Sequence, residues 1–395
     1  NHSINTDDLK YISEEVFLQI KNYTISKDDL YVTIAGTIGV TGEVPTELDG
    51  MNLTENAVKI TNIQINKNYL CLIIQSEFVQ QQFQDKTHQV AMPKLALERI
   101  LSTLIPVCTI TTQSAMVSKF VEMDSLINQI REEKEILAET VSLTKSKILD
   151  LAIRGQLVPQ DPNDEPASVL LERIRAEKEE LIKAGKIKRD KKESIIFRGE
   201  DNSYYQQTGT LIENINDWNL DDIPINWELC CLGEICDYGN CVNVDTKDID
   251  EEAWVLDLED IEKDSGKVIH KIRKYERDSS STKHLFKKGQ VLYSKLRPYL
   301  NKVVLADEEG FCTSEILPLN FSNVVEPQYA LYYLMSPTFL KYANRCSYGV
   351  KMPRLGTADG RKAVFPLPPF EEQRRISQHI SKIFIEIDNI SNMLL

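Results

Sequence analysis

The spacing of hydrophobic positions along this chain changes period, and then the whole pattern starts again. Leu30-Tyr31-Val32-Thr33-Ile34 and Ala57–Ile65 are apolar runs closed by turn residues and predict strands. Tyr69–Phe83 is apolar at helical spacing and predicts a helix. From about Thr112 the spacings alternate between three and four: Phe120, Met123, Ile127, Ile130, Lys134, Leu137, Val141, Thr144, Ile148 and Leu151. Eight of these ten positions are apolar, and no Pro or Gly interrupts before Gly155, which predicts a coiled-coil helix. At 1.5 Å per residue, ~42 residues span about 60 Å, more than the width of a small domain. A long amphipathic helix lying on a core is the alternative; the narrow, sustained seam favours the coil. A turn at Pro159–Pro166 follows, then a helix over Ala167–Ala184 ended by Gly185. Polar residues around 193–222 read as a linker. Strand candidates return at Ala253–Leu258, Gln290–Ser294 and Lys302–Ala306, and a helix at Gln328–Ala343. After Pro366-Leu367-Pro368-Pro369 the heptads resume at Ile380, Ile383, Ile387, Ile390 and Leu394.

The second half repeats the first at a shift of 260. Tyr69 matches Tyr329, Ser76 matches Ser336, and Val90 matches Val350. Met92-Pro93 matches Met352-Pro353; Leu95, Pro106, Gln113, Ile127 and Ile130 match Leu355, Pro366, Gln373, Ile387 and Ile390. One residue of offset extends the match back to Ile25–Val40 against Phe286–Asn301. So long a period means two copies of a domain-sized unit, not a solenoid. The expected layout is a first mixed α/β domain over 1–110 and a helical spacer over 111–190. A linker over 191–222, a second domain over 223–368 and the start of a second long helix over 369–395 complete it. By the same arithmetic the first copy would begin about 37 residues before residue 1, and the second helix would continue past Leu395.

Composition is that of a globular protein, 42% hydrophobic and 27% charged, and no apolar run is long enough to span a membrane. The eight cysteines include no Cys-x-x-Cys pair, and no His stands at ligand spacing from the Cys230–Cys241 cluster, so reduced thiols of a cytoplasmic protein are preferred to a zinc site. Net charge is −14, which taken alone argues against nucleic acid. The distribution argues the other way. Lys267–Lys302 holds eleven Lys or Arg against two acids, and Lys341–Lys362 holds six against one.

Catalytic signatures do not appear in the sequence. There is no Gly-x-x-x-x-Gly-Lys phosphate loop, no Gly-x-Gly-x-x-Gly, no Gly-x-Ser-x-Gly and no His-Glu-x-x-His. The histidines are dispersed, and Asp257 with Glu259 reads as a solvated acidic edge before it reads as a metal pair. Basic residues interleaved with aromatics do stand out. Ser294-Lys295-Leu296-Arg297-Pro298-Tyr299-Leu300-Asn301-Lys302 follows a strand, and Tyr348-Gly349-Val350-Lys351-Met352-Pro353-Arg354 is a second such segment. Arg can bond a guanine edge with two hydrogen bonds, whereas Lys mainly neutralises phosphate. On the residues alone, DNA contact and a solvated basic surface stand level.

Three motifs tilt that balance. Phe365-Pro366-Leu367-Pro368-Pro369-Phe370-Glu371-Glu372-Gln373-Arg374-Arg375-Ile376 resembles the start of the long helix in specificity subunits of type I restriction–modification systems. Ile223-Pro224-Ile225-Asn226-Trp227-Glu228 with Leu232-Gly233-Glu234-Ile235 resembles the opening of that family's target recognition domain. Lys147-Ile148-Leu149-Asp150-Leu151-Ala152-Ile153-Arg154-Gly155-Gln156-Leu157-Val158-Pro159-Gln160 is similar to the end of its central helix. The first copy departs from the pattern: Ile105-Pro106-Val107-Cys108-Thr109-Ile110-Thr111-Thr112-Gln113 keeps only Pro106 and Gln113.

The resemblance implies an α+β fold of two target recognition domains separated by long helices that pair as an antiparallel coiled coil with pseudo-twofold symmetry. It implies that each domain reads half of a split sequence in double-stranded DNA while the helices set the gap. Two modification subunits and restriction subunits would supply the chemistry, with S-adenosylmethionine, ATP and Mg on those partners and none on this chain. The expected DNA contacts are Lys295, Arg297, Tyr299, Lys302, Lys351 and Arg354, with Thr37 and Lys94 at the equivalent places of the first copy. The competing class is a coiled-coil interaction scaffold with two globular heads and no DNA; a fragment of a fused enzyme is a third reading.

Overall fold

The computed structural model describes residues 4, 6, 9–85, 94–185, 193–218, 220, 222–277 and 281–394. The basic run Lys186–Lys192 and the repeat positions Val90, Met92 and Pro93 lie outside these residues. The chain divides into two compact units, Asn1–Glu133 and Lys134–Leu395.

The first unit begins with α1 (Glu14–Ile20), capped by Ser13, and then three strands, β1 (Leu30–Thr33), β2 (Thr41–Glu43) and β3 (Ala57–Ile60). They form an antiparallel sheet of order β2-β1-β3. Helices α2 (Lys67–Gln75), α3 (Glu77–Asp85) and α4 (Leu97–Leu101) follow, then the 44-residue α5 (Ile110–Ile153) that runs on into the second unit. Leu30 and Val32 share one sheet face because strand side chains alternate, and they bury against Leu70, Ile74, Val79, Phe83 and Leu95. The single helix expected over Tyr69–Phe83 is two. Ser76 is extended, at φ −65° and ψ 149°, and ends α2.

The second unit holds the rest of α5, then α6 (Ala167–Lys183) and strands β4 (Ser194–Arg198), β5 (Tyr204–Thr208) and β6 (Leu211–Asn214). Next come β7 (Glu228–Cys231), α7 (Leu232–Ile235), β8 (Val242–Val244), β9 (Trp254–Leu256), β10 (Ile272–Arg273) and β11 (Lys283–Phe286). Strands β12 (Val291–Ser294), β13 (Val303–Leu305), β14 (Gly310–Thr313) and β15 (Ile316–Leu319) lead to α8 (Pro327–Met335) and α9 (Pro337–Arg345). The chain closes with β16 (Ser347–Tyr348), β17 (Arg354–Leu355), α10 (Thr357–Lys362), β18 (Val364–Leu367) and α11 (Phe370–Leu394). Sheet β13-β12-β15 repeats the plan of β2-β1-β3, a central strand with two antiparallel neighbours. The helix expected over Gln328–Ala343 breaks at Ser336-Pro337, the position matching Ser76, where Pro begins α9. The second unit also carries a five-stranded sheet, β10-β9-β14-β11-β8, in which β9 and β14 run parallel.

The stretch expected as a linker over 191–222 contains three strands among its described residues. Strands β4, β5 and β6 form an antiparallel meander fastened to the unit's core through Ile196, Ile215, Trp218 and Leu220. The Gln206 amide donates to the Lys362 carbonyl at 2.7 Å. Only one face of this meander is covered, so few inward apolar residues sit among many polar ones and the composition reads as a linker.

Helix α11 lies antiparallel to the C-terminal part of α5. Lys145 ion-pairs with Asp388 and stands 5.2 Å from the Phe384 ring centroid. Leu149, Ala152 and Ile153 share a core with Ile376 and Ile380. Beyond α5, Gln160 donates to Glu372 at 2.6 Å and Arg375 pairs with Asp164 at 2.5 Å. From Lys145–Asp388 to Gln160–Glu372 the numbers rise on one side as they fall on the other. Glu372 is buried and also accepts from the Trp227 indole at 3.0 Å. Of the seam positions, Ile380 is buried, while Leu137, Val141, Ile148, Leu151, Ile383 and Ile387 are half-buried. Phe120, Met123, Ile127, Ile130 and Ile390 are exposed. Replacing Ile380 (0% exposed) by Ala is expected to cost about 2–5 kcal/mol, and Ile127 (44% exposed) no more than about 0.5 kcal/mol, in urea unfolding of the chain. Equal losses for the two would contradict this packing.

Candidate nucleic-acid interface

The two basic segments of the second unit meet. Strand β12 ends at Ser294, and the chain turns through Pro298–Leu300 as a single 3-10 turn before β13. Arg297 and Asn301 flank the turn with left-handed backbone, at φ 50° and 47°. Such angles cost energy for residues with a Cβ, so they persist only where the surroundings hold them. Here the holding bonds are visible. The Arg297 N–H donates to the Pro353 carbonyl at 2.7 Å and its carbonyl accepts from Leu300 at 2.9 Å. The buried Asn301 amide donates to the Met335 carbonyl at 3.1 Å. Leu296 bridges Arg354, and the Leu355 N–H donates to the Lys295 carbonyl at 3.0 Å. The second segment is a hairpin of β16 and β17 with Gly349 at φ 98° near its tip. The loop after β12 and this hairpin therefore form one surface.

Its side chains divide by what they already touch. Arg354 sets its guanidinium fork against Glu315, with Nη2 to Oε1 at 2.8 Å and Nε to Oε2 at 3.0 Å, and gives Nη1 to the Met352 carbonyl. That fork holds the Glu315 carboxyl below the usual carboxylate range. Lys302 gives its ammonium to the Leu258 carbonyl at 2.6 Å. Arg297, Tyr299 and Lys351 stand exposed, as does Tyr348, and Lys295 is half-buried. Among the described residues, Lys295, Arg297 and Lys351 have no ion-pair partner.

Most of the basic stretch before the loop is neutralised inside the unit. Lys267 pairs with Asp388, Lys271 with Asp307 and Glu308, Arg273 with Glu308, and Lys274 with Glu251. Arg277 pairs with Asp260 at 2.5 Å, and buried Lys283 with Asp257 at 2.9 Å. Asp257 thus belongs to an ion-pair network with Arg277 and Lys283, whereas Glu259 is exposed, as expected of a solvated edge, and reaches Arg277 only at 3.4 Å. Among the described residues no group of three or more His, Cys, Asp or Glu could hold a metal ion. Cys230 and Cys231 are buried on β7, and burial pushes the Cys231 thiol up to about 12, so it stays protonated at neutral pH.

The first unit builds the same frame with other side chains. Ala35 bridges Lys94 where Leu296 bridges Arg354, and Leu95 N–H donates to the Ile34 carbonyl as Leu355 does to Lys295. Thr37 is exposed in a loop that turns on Gly36 and Gly39, both at positive φ, and its carbonyl accepts from the Thr33 hydroxyl. Lys94 is exposed. This loop has no counterpart of Arg297 or Lys295, so its charge is lower. The role of Glu315 as the clamp on Arg354 was not visible in the sequence, because Glu315 lies in a different loop and only folding brings it near.

Comparison with known proteins agrees with this architecture. Residues 224–394 match the family described as Type I restriction modification DNA specificity domain. The EcoAI specificity subunit of a type I restriction enzyme from Escherichia coli is 30% identical over 260 residues, covering 63% of this chain and 40% of that protein. The Escherichia coli EcoEI specificity subunit is 31% identical over 256 residues, with the same coverages. The chain thus spans about two fifths of the length of these relatives. A solved chain, from work on complex assembly and conformational transition of the type I R-M system, matches with TM-score 0.55 at 17% identity. That match covers 94% of this chain and 77% of the other.

The Glu315–Arg354 pair predicts a pH signature. A carboxylate whose folded value is depressed stabilises the fold above its unfolded value, and the gain is lost as pH falls through the folded one. Glu315→Gln is expected to melt below the parent at neutral pH, with the gap closing as the solution falls below about pH 4. A gap that stays constant down the titration would remove the ion pair from the account.

Proposed function

We infer that this chain is a specificity subunit of the type I restriction–modification kind, a protein that reads DNA sequence and performs no chemistry of its own. Each unit would read one half of a two-part target in double-stranded DNA, and the helices would set the unspecified gap. The observation that carries this reading is the single surface made by the loop after β12 and the β16–β17 hairpin. In an acidic chain where most of the basic stretch before the loop is paired internally, this surface leaves Lys295, Arg297 and Lys351 beside the exposed rings of Tyr299 and Tyr348. Loops anchored to a rigid sheet are where recognition side chains gather.

Roles within the surface follow from geometry. Arg297 has a free fork on a backbone held rigid, which suits a guanine edge. Lys351 and Lys295 suit phosphate. Arg354 and Lys302, occupied by Glu315 and the Leu258 carbonyl, would support the loop and shape it. Thr37 and Lys94 would face DNA in the first unit, which would contribute less of the phosphate attraction. Methyl transfer, cleavage and ATP-driven movement would lie with two modification subunits and with restriction subunits, in the cytoplasm. Those subunits would hold S-adenosylmethionine, ATP and Mg. No helix among the described residues is long and apolar enough to cross a membrane.

The test is a binding titration of the chain with its modification subunits, on target and random duplexes at two salt concentrations. Lys351→Ala is expected to weaken binding to both and to reduce the salt slope by about one. Arg297→Ala is expected to cost about 1–3 kcal/mol on the target and to relax one position of the half-site. If both variants bind like the parent, the surface is solvated and carries no recognition. The purified chain alone is expected to show no methyl transfer, DNA cleavage or ATP hydrolysis; any of these activities in it would contradict the assignment.

A further inference from the structure

Gln113 and Gln373 occupy the first turns of α5 and α11, and both side chains are fully buried. Each makes the same bonds. The side-chain oxygen accepts from the backbone N–H at the start of a helix, Asn66 in one unit and Glu326 in the other, at 2.8 Å in both. The side-chain nitrogen donates to the carbonyl five residues earlier, Cys108 at 2.7 Å and Pro368 at 2.9 Å. In the second unit it also donates to Val324 at 3.1 Å. A buried tyrosine completes the joint. Tyr69 donates its hydroxyl to the Pro106 carbonyl at 3.0 Å, and Tyr329 to Pro366 at 2.9 Å.

All of these acceptors and the N–H donor are backbone groups. The joint therefore tolerates a change of flanking side chains, which explains a departure noted in the sequence. The first copy has Val107-Cys108-Thr109 where the second has Leu367-Pro368-Pro369, yet the geometry is the same. What cannot change is the amide, which must accept and donate at once, and the phenol. A buried backbone N–H left without its acceptor would be costly.

We propose that this Gln–Tyr joint is a positioning device that sets the angle at which each long helix leaves its recognition unit, and so the spacing of the two half-targets. The inference rests on the function proposed above. Its leverage comes from length. A 44-residue helix is about 66 Å long, and a deflection of about 3° at one end moves the other by ~3.4 Å, one base-pair step. A joint of three or four hydrogen bonds closed over a buried amide is stiff enough to matter at that scale, where one apolar contact would slide.

The experiment maps DNA methylation across the genome of cells carrying the full-length chain in its intact system. The parent pattern defines the two half-targets and the gap. Gln373→Leu, Gln113→Leu and the milder Tyr329→Phe and Tyr69→Phe are then compared. Modification is expected to persist at both half-sequences. Sites with one base pair more or fewer between the halves are expected to gain several-fold relative to correctly spaced ones. If the glutamine variants do not accumulate, the tyrosine variants, which keep the ring and lose one hydrogen bond, carry the test. An unchanged spacing profile in folded variants overturns the joint, as does a uniform loss at every spacing, which marks a merely structural role. A parent that yields no two-part pattern overturns the DNA-reading role itself and this inference with it.

Discussion

A buried amide at the root of each long helix is the constraint on which the rest of this structure hangs. Gln113 and Gln373 each tie the long helix and the segment that leads into it to the start of α2 or α8, 47 residues earlier in the chain. An amide buried there must find partners for both its ends, because a polar group out of water without a hydrogen bond is expensive. That requirement forces one relative placement of sheet-backed helix and long helix in both copies. The loops that hold the candidate DNA-facing residues are built on the same framework, so the position of Arg297 follows from the packing behind it.

The second joint carries more than the first. Glu372, which has Thr112 as its counterpart, is buried against Trp227 and Gln160, and burial pushes its carboxyl up. Arg375 adds a pair to Asp164. These ties reach the turn after α5 and the opening of the second domain, so α11 is fastened to α5 as well as to its own unit. Glu372, which the first copy lacks, is thus a feature of this added attachment and not of the joint that both copies share.

Electrostatics is decided by pairing, not by sums. A net charge of −14 and a basic stretch of eleven cations are both true of this chain, and neither describes its surface. Six of those cations, Lys267, Lys271, Arg273, Lys274, Arg277 and Lys283, have carboxylate partners. At close range such a pair presents little field to a distant phosphate. The cations that remain beside the loop are few, and they stand together because the Pro353 carbonyl and the Arg354 bridge pull the hairpin against it.

The long helix, the two-copy plan and the resemblance to a family were legible from the sequence because each rests on a periodic or local signal. Heptad spacing bounded α5 to within a few residues, and the shift of 260 exposed the repeat without any coordinates. The two basic segments were legible too, as segments. What the sequence left open was which elements would end where and which charges would find partners. Ser76 and Ser336 break helices that apolar spacing would continue, since spacing records a face and not a backbone turn. The β4–β6 meander hid in a polar stretch, since one covered face needs only a few apolar residues such as Ile196. Arg354, Glu315, Lys302 and the Leu258 carbonyl come from separate places in the chain, and no local pattern records their meeting. The sequence by itself determined the number of copies, the helix that follows each and the residue types available to a site. The tertiary structure alone decided which of those charged groups stay free to bind, because neutralisation is a matter of distance between side chains, and distance across a fold is not written in sequence order.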